Sequence, residues 1–216
     1  MAWAGRKCEI LIAIPSVGTV NMEWALNFAI LLREAPANTF VATAPEPMID
    51  VAREKLGEIA VSVGAHHVFF LDSDIVTPPD VINRLLKHDL PFVSGLYVRR
   101  HHPPFNEMLR KHPDGYQPIA DGEYEKGALV SCDAVGLGCS LVKTDVFKDI
   151  ERPWFRWTEH SAQRGASEDF YFCKKVRATG FKIHCDTSIG CKHIGTFKWL
   201  PGDQFEYPIP GGIQVI

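Results

Sequence analysis

The stretch His67–Pro79, which reads HVFFLDSDIVTPP, constrains this chain more than any other. Its four bulky apolar residues, Val68 to Leu71, favour a short buried strand. Asp72 and Asp74 follow at once, and two prolines then end any continuation of the strand. Two carboxylates beside a buried strand are costly unless something positive meets them, and a hard divalent cation that also binds phosphate oxygens is one solution. The stretch therefore predicts a metal–diphosphate site at the carboxyl edge of an open α/β sheet.

Length and composition limit the class of protein. A chain of 216 residues can bury a good core, and we expect one domain. The formal net charge of −3 argues against a nucleic-acid binder that works through a general basic field. No apolar run approaches a membrane span and the N-terminus has no signal-peptide layout, so we expect a cytoplasmic protein, with peripheral membrane contact as an option. Its six cysteines include no C-x-x-C pair, which favours buried thiols over disulfides.

The first third of the chain alternates strands and helices. Strands are predicted over 8–14, 39–43 and 68–71, with helices over 21–32 and 48–63 between them. This β-α-β-α-β order is typical of parallel crossovers. In the first helix a set of apolar positions is expected to face the sheet: Met22, Leu26, Phe28, Ala29, Ile30 and Leu32.

The remaining elements are expected to be shorter. Pro79 is predicted to open a helix and Thr144 to cap another, with an irregular loop over 99–114. Ser167 is predicted to cap a helix over 168–179 that Gly180 ends. Further strands are predicted over 91–98, 128–135, 138–142, 181–185 and 189–191. We place one domain over 1–197 and an extended tail over 198–216.

The DSD turn supplies the first candidate site residues. Asp74 is the leading candidate for a metal ligand, and Asp72 would either ligate through water or hold a ribose. A solvated turn rich in aspartate is the alternative, but its place directly after an apolar run favours a functional site.

The segment GASEDF supplies a second pair of carboxylates, Glu168 and Asp169. Acidic residues in a first helical turn are favoured by the helix dipole, which explains them without a function. The alternative is that one of them is a general base that deprotonates a hydroxyl nucleophile. The spacing alone does not decide between the two.

Three further positions are candidates for metal or phosphate contacts. His193 would complete a Mn²⁺ site, since Mn²⁺ accepts imidazole beside carboxylate and phosphate oxygens; a zinc site of Cys185, Cys191 and His193 fits no common spacing. Arg53, on the inner part of its helix, could reach a phosphate or a base, or merely cover apolar surface. The cluster over 99–102, RRHH, is either a solvated loop or a contact to an acceptor phosphate or a lid over the donor.

Several blocks together resemble the nucleotide-sugar glycosyltransferases of the GT-A fold, and family-2-like members above all. These blocks are FFLDSDI at 69–75, SGLY at 94–97, VGLGCSLV at 135–142, SEDFYFCKKVRATGFKI at 167–183 and KHIG at 192–195. The resemblance implies an α/β fold with one Rossmann-like domain, in which helices flank a mixed, mostly parallel sheet. It also implies a metal-dependent enzyme that moves a sugar from a UDP- or GDP-sugar to an acceptor hydroxyl.

The resemblance also implies roles for single residues. Asp72, Ser73 and Asp74 match the D-x-D motif that binds Mn²⁺ or Mg²⁺ and the ribose-diphosphate, and His193 matches the histidine that completes the metal site. Asp169 matches the general base of inverting members, with Glu168 next to it. The donor-binding set is completed by Pro15, Ser16, Glu46, Arg53, Gly136 and Gly138.

Several alternatives stay open at this stage. A Glu-Asp pair also occurs in some retaining enzymes of this fold, so inversion is the expectation but not the only reading. A lipid-linked acceptor that contacts the aromatic segment PWFRW is one candidate among acceptors. DSDIVT also fits the nucleophile motif of haloacid-dehalogenase-type phosphatases, although that motif usually follows the first strand and here follows the third. A non-catalytic nucleotide-sugar-binding module is the remaining alternative.

Overall fold

The computed structural model describes residues 7–100, 104–157 and 167–195, together with the backbone of three strands within 198–215. In chain order the elements are β1 (Ile10–Pro15), α1 (Met22–Glu34), β2 (Thr39–Ala44), α2 (Ile49–Ser62), β3 (His67–Leu71), β4 (Ile75–Val76), α3 (Val81–Leu86), β5 (Phe92–Leu96), β6 (Met108–His112), β7 (Gly115–Pro118), β8 (Leu129–Cys132), β9 (Ala134–Val135), β10 (Cys139–Lys143), α4 (Thr144–Lys148), α5 (Glu168–Ala178), β11 (Ile183–Gly190), β12 (Lys192–His193), β13 (Lys198–Trp199), β14 (Phe205–Ile209) and β15 (Gly212–Val215). No helix in the described ranges is long and apolar enough to cross a membrane.

A seven-stranded sheet in the order β2-β1-β3-β10-β5-β11-β8 forms the centre of the fold. β1, β2 and β3 are parallel, as are β5 and β11, while β10 and β8 run antiparallel to their neighbours. The predicted α/β architecture with a mixed, mostly parallel sheet is therefore confirmed. Because β10 runs opposite to β3, it starts at the edge of the sheet where β3 ends.

Helices cover both faces of this sheet. On one face α2, α4 and α5 bury an aromatic core in which Phe147 stacks on Phe172 at a centroid distance of 5.2 Å. On the other face α1 and α3 pack on the sheet through Trp24, Leu31 and Leu85. Parallel strands covered on both faces must be apolar throughout, which is why β1 and β3 are readable as continuous apolar runs.

Two smaller sheets stand beside the central one. β6 pairs with β7 and β9, and β4 pairs with β12, which continues through β13 to β15. β6 falls within 99–114, where we predicted an irregular loop, so that prediction is wrong over 108–112. Its sequence MLRKH is apolar and buried only at its first two residues and polar over the rest, so it lacks a buried-strand pattern. The domain boundary at 197 stays a prediction, and the predicted tail contains β13 to β15.

Several local expectations need correction. α1 buries Trp24 and Leu31, while Met22, Leu26, Ile30 and Leu32 of the predicted inner face are exposed. α3 begins at Val81, not at Pro79. A single strand, β11, replaces the two predicted over 181–191.

Two side chains also differ from their predicted settings. The Thr144 hydroxyl does not cap α4; it is buried without a hydrogen-bond partner among the described residues. In PWFRW, Trp154 and Phe155 are buried in the aromatic core, so only Trp157, which is 43% exposed, remains for the predicted contact with an acceptor. As predicted, all six cysteines are buried free thiols.

Candidate active site

The candidate site lies at the carboxyl edge of the central sheet. β3 ends at Leu71, directly before the DSD turn, and α5 begins at this edge because it precedes β11, a strand that runs the same way. α1 holds the turn in place, since the Trp24 indole N–H donates to the Asp72 carbonyl at 2.9 Å. The Asn27 amide pairs with both backbone groups of Thr77 just beyond the turn. Trp24 and Asn27 therefore fix the main chain of the turn, and the carboxylates of Asp72 and Asp74 take no part in these contacts.

A buried arginine joins the two predicted acidic segments. Arg53 of α2 is 2% exposed, and its Nη2 donates to both carboxylate oxygens of Asp72, at 2.9 and 3.1 Å. Its Nη1 donates to Glu168 at the start of α5 and lies 3.8 Å from Asp169. One guanidinium thus connects the DSD turn to the Glu-Asp pair. A nucleotide contact for Arg53 stays a prediction, and it would require one of these ion pairs to open.

Burial and charge act in opposite directions in this network. Burial disfavours the charge of Arg53, but Asp72, Glu168 and Asp169 outweigh it and raise the pKa of the guanidinium. Burial raises the pKa of Glu168 to about 7; Arg53 opposes the shift and Asp169 adds to it. Near neutral pH Glu168 is therefore poised between its acid and its carboxylate forms, and it is tied to Arg53.

Asp74 lies in a more open environment. Its Oδ2 is 3.5 Å from His193 Nε2 and 3.0 Å from Nη1 of Arg100, a side chain that is 49% exposed. Although burial opposes it, the hydrogen bond from His193 and the charges of His193 and Arg100 lower the pKa of Asp74. The Ile194 N–H donates to the Asp74 carbonyl at 2.7 Å, which fixes β12 against the turn.

The donor set at Asp74 fits a divalent cation. His193 Nδ1 is 2.9 Å from the Val98 carbonyl, and because a carbonyl can only accept, Nδ1 carries the proton. Nε2 faces Asp74 and, when it carries no proton, would be the ring nitrogen that ligates, the arrangement that second-shell partners impose on metal-binding imidazoles. Within the described ranges no three His, Cys, Asp or Glu side chains are grouped to hold a metal. Asp74 and His193 would therefore supply at most two ligands, and the others would have to come from phosphate or water oxygens.

These contacts bear on two earlier predictions of metal ligands. Both oxygens of Asp72 face Arg53, so Asp72 is not grouped with Asp74 and His193 as a third ligand. Cys185, Cys191 and His193 do not form a group that could hold zinc either.

Tyr97 fills the space beside the two predicted glycines. Its phenol oxygen accepts the Gly138 N–H at 3.1 Å, and burial raises the pKa of the phenol well above its usual range. A Cβ on Gly136 would lie 2.0 Å from that oxygen, and one on Gly138 would lie 3.0 Å from Asp72 Oδ2. Gly136 and Gly138 are therefore needed to make room for Tyr97 and Asp72. Whether they also contact a donor sugar stays a prediction.

A second buried ion pair lies next to this tyrosine. Glu107, 9% exposed, binds Arg99, whose guanidinium lies 5.7 Å from the centre of the Phe170 ring in α5. Burial raises the pKa of Glu107. Tyr97 and Glu107 were not among the predicted site residues. Tyr97 lies in SGLY, one of the blocks that carry the resemblance. Glu107 lies in the segment predicted to be a loop, and no local pattern there indicates a site residue.

The N-terminus of α5 orients Asp169. Ser167 occupies the N-cap position, but its hydroxyl bonds to the Asp169 carboxylate rather than to the helix backbone. Asp169 Oδ1 also accepts the Phe170 N–H at 3.1 Å, and 16% of its side chain is exposed, against 5% for Glu168. Of the pair, Asp169 is therefore the carboxylate that a ligand can reach.

The remaining predicted residues lie at the same edge without joining these networks. Pro15 ends β1, Ser16 follows it, and Glu46 follows β2, where it pairs with Lys55 of α2. Ser73 is half-buried within the turn. Of the RRHH cluster, Arg99 and Arg100 are placed as described above. His101 and His102 lie outside the described residues.

Comparison with known proteins gives the fold and no more. No family model matches the chain, and a search of curated proteins finds no match. Among solved structures, the one titled "Crystal Structure of A197 from STIV" is similar, with 17% sequence identity and a TM-score of 0.66. The similarity covers 91% of this chain and 92% of that one. It supports a Rossmann-like α/β fold.

Proposed function

We propose that this chain is a metal-dependent glycosyltransferase of the GT-A type, which moves a sugar from a UDP- or GDP-sugar to an acceptor hydroxyl. One observation carries the proposal. At a single sheet edge, an aspartate–histidine pair suited to a cation lies near a second, accessible carboxylate, and Arg53 couples the two segments. Binding a diphosphate and deprotonating a hydroxyl require different groups, and these two segments supply one each.

In this proposal Asp74 and His193 would hold Mn²⁺ or Mg²⁺, and the bound ion would supply positive charge that stabilises the diphosphate leaving group. Arg100 lies 3.0 Å from Asp74 and is half exposed, so its guanidinium can turn towards a donor phosphate. Trp24 and Asn27 hold the main chain of the turn in place while Arg100 moves from Asp74 to the phosphate. Arg100 has to leave Asp74 Oδ2 before that oxygen can bind a cation.

Asp169 is the general base in this scheme. Its carboxylate is held by Ser167 and the Phe170 N–H and is more exposed than Glu168. It accepts the proton of the acceptor hydroxyl as that oxygen attacks the anomeric carbon, which gives inversion. Glu168 is a positioning residue, because its carboxylate already accepts a hydrogen bond from Arg53.

The phosphatase alternative is disfavoured by the same geometry. A nucleophilic aspartate needs a free oxygen, and Arg53 Nη2 bonds both oxygens of Asp72. A non-catalytic nucleotide-sugar-binding module would need the cation site but not Asp169.

The test is a thermal-shift panel of nucleoside diphosphates and nucleotide sugars, each with and without Mn²⁺. At ~100 times the dissociation constant a ligand stabilises the fold by roughly 2.7 kcal/mol. We expect a shift with one nucleotide that needs the metal and that disappears in Asp74→Ala but persists in Asp80→Ala, an exposed aspartate six residues on. No shift in the folded protein would contradict the proposal.

A second step separates the enzyme from the binding module. Asp169→Asn is expected to abolish transfer while the metal-dependent shift stays. Equal loss of binding and transfer would remove Asp169 from the role of base. Donor binding by the unaltered protein, with neither transfer nor hydrolysis across an acceptor panel, would favour the binding module.

A further inference from the structure

The outer face of α1 carries a stripe of exposed apolar side chains. Met22 is 73% exposed, Leu26 61% and Ile30 47%, and Ala29 between them is exposed too. They follow the i, i+4, i+7, i+8 spacing of one helix face. That face is opposite the one that buries Trp24 and Leu31 against the sheet.

Such a concentration of exposed apolar side chains is unusual for a surface helix. Of the ten large apolar side chains that are exposed in the described ranges, six lie between positions 17 and 32. A helix that is apolar on both faces is normally covered on both. Contiguous apolar patches of this kind mark interaction sites.

The charges of α1 argue against a membrane as the covering surface. Helices that lie in a membrane interface carry Lys and Arg beside their apolar face. α1 carries one arginine, Arg33, and two glutamates, Glu23 and Glu34, so its net charge is −1. The covering surface must instead match an apolar stripe with acidic and basic groups at its two ends.

We infer that α1 pairs antiparallel with α1 of a second copy of this chain. Four residues on this face of α1 are spaced symmetrically about a common centre: Met22, Leu26, Ala29 and Arg33. A two-fold axis at that centre places Leu26 of one copy against the smaller Ala29 of the other, so large and small side chains alternate across the contact. It also places Met22 against Arg33 of the second copy.

Charge complementarity supports this pairing. The aliphatic stem of Arg33 covers Met22, and its guanidinium reaches the first turn of the opposite helix. The Glu23 carboxylate in that turn lies 3.9 Å from Lys192 of its own chain and would accept from Arg33 as a second cation. The antiparallel arrangement also opposes the two helix dipoles. An isologous contact of this kind closes after two copies.

The expected dimer is weak. A single helix pair buries less than the ~1,200 Å² at the lower end of specific, stable interfaces. We therefore expect a dissociation constant of roughly 1 to 100 µM instead of nanomolar affinity. The proposal is independent of the proposed glycosyl transfer, because no residue of the stripe belongs to the candidate site.

The test is sedimentation velocity of the full chain from about 1 to 300 µM. The unaltered protein is expected to shift from monomer to dimer over this range, whereas Leu26→Glu stays monomeric, with affinity lowered at least ~100-fold. Leu129→Glu is the matched control, since Leu129 is 41% exposed on β8 and away from α1. It is expected to dimerise as the unaltered protein does. Thermal unfolding checks that both variants are folded.

A charge exchange tests the antiparallel register. Glu23→Arg and Arg33→Glu are each expected to weaken the dimer about fivefold to tenfold, and the double variant to recover most of the loss. Failure of the double variant to recover contradicts this register.

Two other results would overturn the proposal. One is a monomer at every concentration. The other is flotation of the monomer with phosphatidylcholine–phosphatidylserine vesicles that Leu26→Glu abolishes, because the stripe would then be covered by lipid.

Discussion

Asp72 and Asp74 are two residues apart in one turn, yet their environments are opposite. Asp72 faces the interior, where a 2% exposed arginine binds both its oxygens and extends the network to Glu168. Asp74 faces outward, where its partners are His193, whose Nε2 is 3.5 Å away, and the half-exposed Arg100. The cation that pairs with the first aspartate is fixed in the core. The arginine that pairs with the second is exposed enough to move.

The difference shows how one short motif can have two functions. The D-x-D sequence lies in a turn after β3, and the turn brings its two carboxylates to different partners. The inner one binds Arg53 and stabilises the contact between α2, the turn and α5. The outer one binds Arg100 and His193 and is the metal ligand of the proposed function. Four substitutions sharpen or break this comparison, and they follow from the largest expected effect to the smallest.

Arg53→Ala should have the largest effect on stability. It leaves Asp72 and Glu168 without their cation, and breaking a buried ion pair costs about 3 to 5 kcal/mol. Urea unfolding measures the loss. Lys55→Ala is the control on the same helix, since its exposed pair with Glu46 should contribute ~1 kcal/mol or less. Equal effects of the two substitutions would mean that Asp72 is not held as described.

Glu168→Gln should remove a pH dependence. The pKa of Glu168 is raised from 4.5 to about 7, so the folded chain keeps a proton that the unfolded chain releases. Its contribution to stability is complete below about pH 4.5 and is lost as the pH rises through 7. The free energy of unfolding of the unaltered protein, relative to that of the variant, should therefore fall across this window by up to about 3 kcal/mol. A difference that does not change with pH would contradict the burial of an uncharged Glu168.

Tyr97→Phe should have an intermediate effect. The Gly138 N–H loses its buried acceptor, which costs about 1 to 3 kcal/mol. Gly136→Ala should destabilise by more in the unaltered protein than in the Tyr97→Phe background, because the new Cβ meets the phenol oxygen first. The double-mutant cycle in urea should give a coupling of at least ~1 kcal/mol. Strict additivity would show that the hydroxyl does not fill this space.

Asp74→Asn should have the smallest effect on stability. Its side chain is 30% exposed, and partly exposed ion pairs contribute about 1 kcal/mol or less. Asp72→Asn, the matched change inside the same turn, should cost more because Arg53 loses a charged partner. If Asp74→Asn proved the more destabilising of the two in urea, the assignment of inner and outer roles would be reversed.

The parts of the fold that follow local rules were predictable from the sequence. β1 and β3 are buried on both faces, so their apolar runs identify them, and Gly180 ends α5 in the left-handed conformation that favours glycine (φ 92°). The place of the DSD turn at the carboxyl edge follows from strand order alone. That His193 and the start of α5 lie at the same edge did not follow from strand order; the sequence linked them to Asp74 only through the resemblance.

The pairings within the site were not predictable, because they join residues far apart in the chain. Arg53 and Glu168 are 115 positions apart, and no local pattern indicates that one binds the other. The apolar outer face of α1 misled the assignment of its buried side, because a helix that is apolar all round gives no single inward direction. β6 was missed because its second half is polar and its apolar residues are adjacent, so its sequence shows no alternation.

The six buried thiols have a consequence for kinetics. Burial raises the pKa of Cys8, Cys132, Cys173 and Cys185, and a thiol attacks as its thiolate, so in the native state these groups are both hidden and unreactive. Each becomes available to an alkylating reagent only when its own strand or helix opens. Alkylation timed residue by residue would therefore record which part of the sheet opens first, with no introduced label.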